Sequence, residues 1–115
     1  METNTFESRK KLIVNRARVA QACADEYRRA IKSETDHELL IVIKDNFGWC
    51  KGKAVIDLET LSAFPEADRI SAGIFISGHH RAYGNATVTA YGNATVTADG
   101  NATVTAYGNA TVTAD

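Results

Sequence analysis

Residues 83–115 read YGNATVTAYGNATVTADGNATVTAYGNATVTAD, one eight-residue phrase given four times with Tyr or Asp as almost its only variable position. In an extended chain, alternate side chains point to opposite faces. Ala86, Val88 and Ala90 therefore share one face of the first phrase, and Thr87 and Thr89 share the other. The same reading assigns an apolar row to Ala94, Val96, Ala98, Ala102, Val104, Ala106, Ala110 and Val112. It assigns an outward row to Thr95, Thr97, Thr103, Thr105, Thr111 and Thr113. Between the strands, Gly84-Asn85, Gly92-Asn93, Gly100-Asn101 and Gly108-Asn109 supply turns, because Gly takes conformations that other residues resist and Asn tolerates the left-handed region.

Side-chain parity separates the two arrangements with this period. In an antiparallel meander with two-residue turns, Tyr91 would oppose Ala94, so Val88 would oppose Thr97 and successive valines would face opposite sides. In-register parallel stacking sets Val over Val and Thr over Thr, which keeps one apolar interior continuous. A five-residue strand already spans about 17 Å and the chain must return, so two octads per coil is the smallest circuit. At that spacing Tyr91 stacks on Tyr107, Asp99 on Asp115, Asn85 on Asn101 and Asn93 on Asn109, while Tyr83 over Asp99 departs from the pattern. Stacked amides can satisfy one another along the axis.

The YGNATVTA phrase, with Tyr-Gly, Thr-x-Thr and a closing Ala, resembles the octapeptide repeats of bacterial ice-nucleation proteins. It is also similar to YGNATVTA and YDNATVTA arrays in uncharacterised bacterial and phage-associated proteins. The resemblance covers residues 82–115, and residues 1–81 look like the leader domain of the second group. It implies a β-solenoid of sixteen-residue coils with threonines displayed outward. This chain carries Ala-Thr-Val-Thr where the ice-nucleation family has Ser-Thr-x-Thr, and it has four octads.

Upstream of the repeat the composition changes sharply. All 13 Lys and Arg and 12 of the 14 acidic residues precede Tyr83, so two differently built segments are joined in one chain. In NRARVAQACADEYRRAIKS, from Asn15, the spacing predicts a helix with Val19, Cys23, Tyr27 and Ala30 on one stripe and arginines outside. Residues 38–46 fit a helix or a buried strand by periodicity. The acidic start with Thr35 or Asp36 as cap, and the stop at Asn46 or Gly48, favour the helix. Asp57 caps LETLSAF, Pro65 suits the first turn of the next helix, and Gly73 ends it. Leu39, Leu40, Val42, Ile43, Phe47, Trp49, Val55, Ile56, Leu58, Leu61, Phe64, Ile70 and Ile74 supply a small helical core.

The expected fold is therefore α+β: a small α-rich N-terminal cap domain over 1–72, a junction with a degenerate first rung over 73–82, and a short two-sided β-solenoid over 83–115. The helical segment would cover the unpaired backbone of the first coil. In the junction, the period sets His79, His80 and Arg81 over Thr87, Val88 and Thr89. Metal ligation by His37, His79 and His80 lacks a partner carboxylate or cysteine at ligand spacing, so no metal and no cofactor are expected. Cys23 and Cys50 read as small buried hydrophobes. Each octad contains Asn-Ala-Thr, an N-glycosylation pattern at Asn85, Asn93, Asn101 and Asn109, which the turn role explains better in the absence of a secretory signal.

No catalytic constellation emerges, so the expectation is a non-enzymatic, cytoplasmic structural or interaction protein. Its array would act as spacer, display surface or end-to-end assembly edge, self-associating through the open solenoid end or meeting an unknown protein partner. One alternative is an ice-like surface binder using the Thr-x-Thr rows. Another is a DNA-associated regulator using Arg9, Lys10, Lys11, Arg16 and Arg18, although residues 1–82 carry 13 basic against 12 acidic groups and nucleic acid is disfavoured. The longest apolar runs fall far short of a membrane span, so no membrane is expected.

Overall fold

The sequence between Thr5 and Ala72 is punctuated by short polar residues that cap helices, and a computed structural model describing residues 5–114 has six helices there. Helix α1 (Phe6–Val19) opens with a reciprocal cap, the Thr5 side chain accepting from Ser8 N and the Ser8 hydroxyl from Thr5 N. After it come α2 (Ala24–Lys32), α3 (Asp36–Asp45), α4 (Phe47–Gly52), α5 (Leu58–Ser62) and α6 (Glu66–Ala72). Thr35 caps α3 by accepting from Glu38 N, and residues 38–45 are helical rather than extended. Asp57 caps α5 through a 2.7 Å bond from Thr60 N.

Two expectations for this region are corrected. The single helix running from Asn15 into Lys32 is broken at residues 20–23, where Gln21 takes φ 63°. The break allows α1 and α2 to pack on each other. It leaves Val19 72 % exposed and Cys23 exposed, so neither belongs to a buried stripe. Trp49, Leu58 and Ile70 also lie at the surface. In α4 the inward positions are Phe47 and Cys50, which share a face at a spacing of three, and Trp49 falls off that face.

The chain forms two compact units, Met1–Asp68 and Arg69–Asp115, with the division inside α6. The first unit buries Leu39, Leu40, Ile43, Phe47, Ile56, Leu61 and Phe64. Polar anchors cross this core. Arg9 donates from Nε and Nη2 to the two oxygens of Asp36 at 2.9 and 2.7 Å, with both side chains about nine-tenths buried. Its guanidinium lies 5.6 Å from the centre of the Phe64 ring. Arg16 donates to the hydroxyl of the buried Thr60 at 2.9 Å.

The second unit carries two three-stranded parallel sheets. Strands β1 (Ile74–Phe75), β3 (Thr87–Ala90) and β5 (Thr103–Ala106) form one sheet, and β2 (His79–Ala82), β4 (Thr95–Ala98) and β6 (Thr111–Ala114) form the other, each in that order. Successive octads thus alternate between sheets. Thr87 aligns with Thr103 and Val88 with Val104, while Thr95 aligns with Thr111 and Val96 with Val112, always sixteen residues apart. The first pairing is one residue shorter, with Ile74 aligned to Thr89 and Phe75 to Ala90. Neither sheet closes on itself. The antiparallel meander is excluded, as parity requires for a common apolar side.

Removing one half of the buried Arg9–Asp36 pair leaves an uncompensated charge. Arg9→Ala is expected to cost about 3 kcal/mol in urea unfolding at neutral pH. The Thr60 backbone and side-chain hydrogen bonds hold the Asp57 carboxyl below its ordinary range. A carboxyl so depressed stabilises the fold above its unfolded pKa of about 3.9, and that contribution disappears as pH falls through the folded value. Asp57→Ala is therefore expected to cost about 1 kcal/mol at neutral pH, with the gap from wild type narrowing in acid. Unfolding midpoints at the two conditions check this.

Candidate interaction surface

The repeat unit is built from its turns. In each Tyr/Asp-Gly-Asn-Ala segment the Ala N–H donates to the carbonyl three residues earlier, as in Ala86 to Tyr83 at 3.0 Å and Ala102 to Asp99 at 3.3 Å. Gly84, Gly92, Gly100 and Gly108 have φ between 58° and 66°, and none of the four asparagines has positive φ. A positive φ confined to the first central residue is the signature of a type II′ turn. The left-handed tolerance expected of Asn is therefore not used at these positions, and the four asparagines are exposed. A Cβ built on Gly100 would lie 3.5 Å from the Gly84 backbone, and one on Gly108 would lie 3.5 Å from Gly92 N, so the turns stack at the sixteen-residue spacing. The Asp99–Asp115 stack falls outside the described residues.

Between the sheets lies an apolar cluster of Phe75, Ala82, Val88, Ala90, Ala94 and Val96, with Ala86, Ala102, Val104 and Ala110 packed partly buried against it. Burial falls off along the stack: Val96 is 0 % exposed, Val104 is intermediate and Val112 is 41 % exposed. Ala98 is half-buried and Ala106 exposed. Of the threonines, Thr87, Thr103, Thr105, Thr111 and Thr113 are exposed, Thr95 and Thr97 are half-buried, and Thr89 is buried. Four threonines fall on each sheet, two ranks deep.

The outer edges of β5 and β6 have no strand beside them among the described residues. Neither strand contains Lys, Arg, Pro or a bulge, the devices that usually blunt an edge. Elsewhere in the repeat unit, Arg81 and Asp99 are paired at 3.3 Å. In the first rung, His79 and Arg81 align with Thr95 and Thr97, and His80 aligns with Val96. The His80 ring stacks on Phe75 at 4.1 Å between centroids, with Nε2 2.7 Å from Ser77 O. Nothing in the eight-residue period marks this aromatic pair, because Phe75 lies outside the repeat phrase.

Among the described residues no group of three or more His, Cys, Asp or Glu could hold a metal ion, and no helix is long and apolar enough to cross a membrane. Of the basic side chains of α1, Arg9, Lys10, Arg16 and Arg18 have partners within the chain, while Lys11 is exposed. Arg9 and Arg16 serve the core, Lys10 donates to Ser33 O at 2.7 Å, and Arg18 donates to Asn15 at 2.7 Å. No family model, curated protein or solved structure matches the chain.

The turn glycines provide a test of the stack. Gly100→Ala forces a Cβ into a left-handed conformation and is expected to destabilise the repeat unit by about 1–2 kcal/mol. Gly100→Asn, whose side chain tolerates that region, should recover part of the loss in thermal unfolding.

Proposed function

We propose that the chain is a non-enzymatic structural or interaction protein whose octads form a short two-sided β-solenoid of sixteen-residue coils, with the β5/β6 edge as its assembly surface. The observation that carries this reading is the in-register pairing in which, among the described residues, no strand lies beyond β5 or β6 and Val112 is exposed. The similarity of the repeat to the ice-nucleation octapeptides supports the coil geometry.

The occupant we assign to the edge is a second copy of the chain. Two parallel-wound coils meeting at this end must pair their strands antiparallel. Opposed residues in an antiparallel pair share a face, so a symmetric contact centred on Val104 sets Val104 against its equivalent and Ala102 against Ala106. The apolar row stays on the interior side. The contact is small: strands of four residues span about 13 Å and facing sheets lie about 10 Å apart, so each partner contributes a few hundred Å², below the roughly 800 Å² of a stable interface. Association is accordingly weak and concentration-dependent.

The threonine rows carry the display reading less far. At about 4.8 Å between strands and about 7 Å between alternate residues, two ranks make a patch one or two water layers wide. Sedimentation velocity from micromolar to millimolar protein tests the assembly reading. The expected result is a rise in mass with concentration that Val112→Lys abolishes. A single monomeric species throughout, with both proteins alike, would overturn it.

A further inference from the structure

The helical unit contains a half-open cavity of about 190 Å³ between α1, α2, α3 and α4, remote in sequence from the repeat. Its walls are apolar, with Ile13, Leu39 and Val55 deep inside. Three other lining residues are of a different kind: Tyr27, Trp49 and Glu26. Trp49 is 36 % exposed and Tyr27 half-buried, so two aromatic rings stand at the partly open part of the cavity.

Glu26 is held in place by its neighbours. Asn46 Nδ2 and Arg29 Nη1 each donate to its Oε2 at 2.8 Å, and both bonds fall on the same oxygen, so Oε1 takes neither. The Arg29 guanidinium that pairs with Glu26 also binds Asp45 at 2.9 Å. One cation is shared by two carboxylates, and of the three groups only Glu26 lines the cavity. The Cys50 thiol on the cavity wall is pushed up to about 11, chiefly by burial and then by the charge of Glu26. The lining therefore offers a carboxylate, no cationic side chain and two aromatic rings.

We propose that this cavity is a binding site for a small organic cation: one apolar ring or short branched chain bearing an ammonium group. The volume sets the size, since an apolar cavity on the order of 150 Å³ holds a single benzene ring. Drug-sized ligands need about 300 Å³ or more and are excluded. The aromatic rings and Glu26 set the charge. A cation gains from ring faces and from a carboxylate that shares its guanidinium partner with Asp45, whereas an anion would meet the charge of Glu26. This site is independent of the assembly edge, and its success or failure leaves that reading untouched.

Trp49 is the only tryptophan in the chain, so its fluorescence reports the site directly. Benzylammonium titrated into the full chain is expected to shift Trp49 emission saturably, and benzyl alcohol, the neutral counterpart, to bind at least tenfold more weakly. Glu26→Gln keeps the polar contacts and removes the charge. It is expected to weaken benzylammonium about tenfold, the scale of a hydrogen bond to a charged group, and to leave benzyl alcohol unchanged. Val42→Phe, at another lining position, should fill the space and abolish both responses while circular dichroism still shows a cooperative melt. The proposal is overturned if millimolar benzylammonium moves neither Trp49 emission nor the amide resonances of lining residues. Equal binding of the charged and neutral probes, or an affinity for benzylammonium unaffected by Glu26→Gln, overturns it equally.

Discussion

Like-on-like parallel register is the constraint from which the repeat unit follows. A strand has a side-chain period of two, so only a pairing that preserves parity keeps Val88, Val96, Val104 and Val112 on a common interior. Alternate octads serve alternate sheets, and every identity in the sequence becomes a vertical neighbour sixteen residues away. The glycine turns obey the same spacing: a Cβ at Gly100 would lie in ordinary contact with the Gly84 backbone, and its positive φ would be strained. The interior is narrow because its residues are small. Alanine and valine bring less apolar surface than leucine or phenylalanine, so each added strand contributes little by burial and depends on backbone pairing with its neighbour. Burial accordingly falls from Val96 through Val104 to Val112 as the number of strands beyond each valine declines.

The helical unit solves the opposite problem. Its core uses large side chains, among them Phe64, Leu39, Leu40 and Ile56, and its short helices require buried polar anchors to fix how they cross. Arg9 and Arg16 supply them through Asp36 and Thr60. Two of the residues that look like a basic face in the sequence are in this way occupied with holding the unit together. Short helices also pack imperfectly, and the space left between four of them is the cavity lined by Trp49 and Glu26.

The two halves were unequally legible in the sequence. Four copies of one phrase carry their own register, and parity alone selects parallel pairing. Caps at Thr35 and Asp57 were legible because the capping chemistry is local. The break between α1 and α2 was not. Gln21 adopts positive φ within RVAQACAD, a stretch with three alanines and no Gly or Pro, so packing of α1 on α2 overrides local propensity. Ala54 at φ 58° is a second such reversal without a glycine. Trp49 was misplaced for a related reason: composition marks it as core, but the six-residue helix has room for one inward face, already taken by Phe47 and Cys50. At the edge and the cavity alike, the sequence supplied the residues, and only their placement revealed which polar groups lacked a full set of partners.

That placement also decides which surface of the repeat has the greater capacity for recognition. A threonine hydroxyl on a sheet face is already hydrogen-bonded to water, and exchanging that water for a partner yields on the order of 1 kcal/mol or less for each group. The outer edge of β5 and β6 offers a directional ladder of backbone N–H and C=O groups beside an apolar row, so pairing there satisfies hydrogen bonds and removes Val104 and Val112 from water together. The two gains reinforce one another only if the incoming strand has the same alternation of small apolar and hydroxyl side chains. Any chain with a different period would bury threonine or expose valine. A repeat that is bland in chemistry is consequently selective in geometry, which is why the proposed assembly at this edge takes a second copy of the chain as its partner.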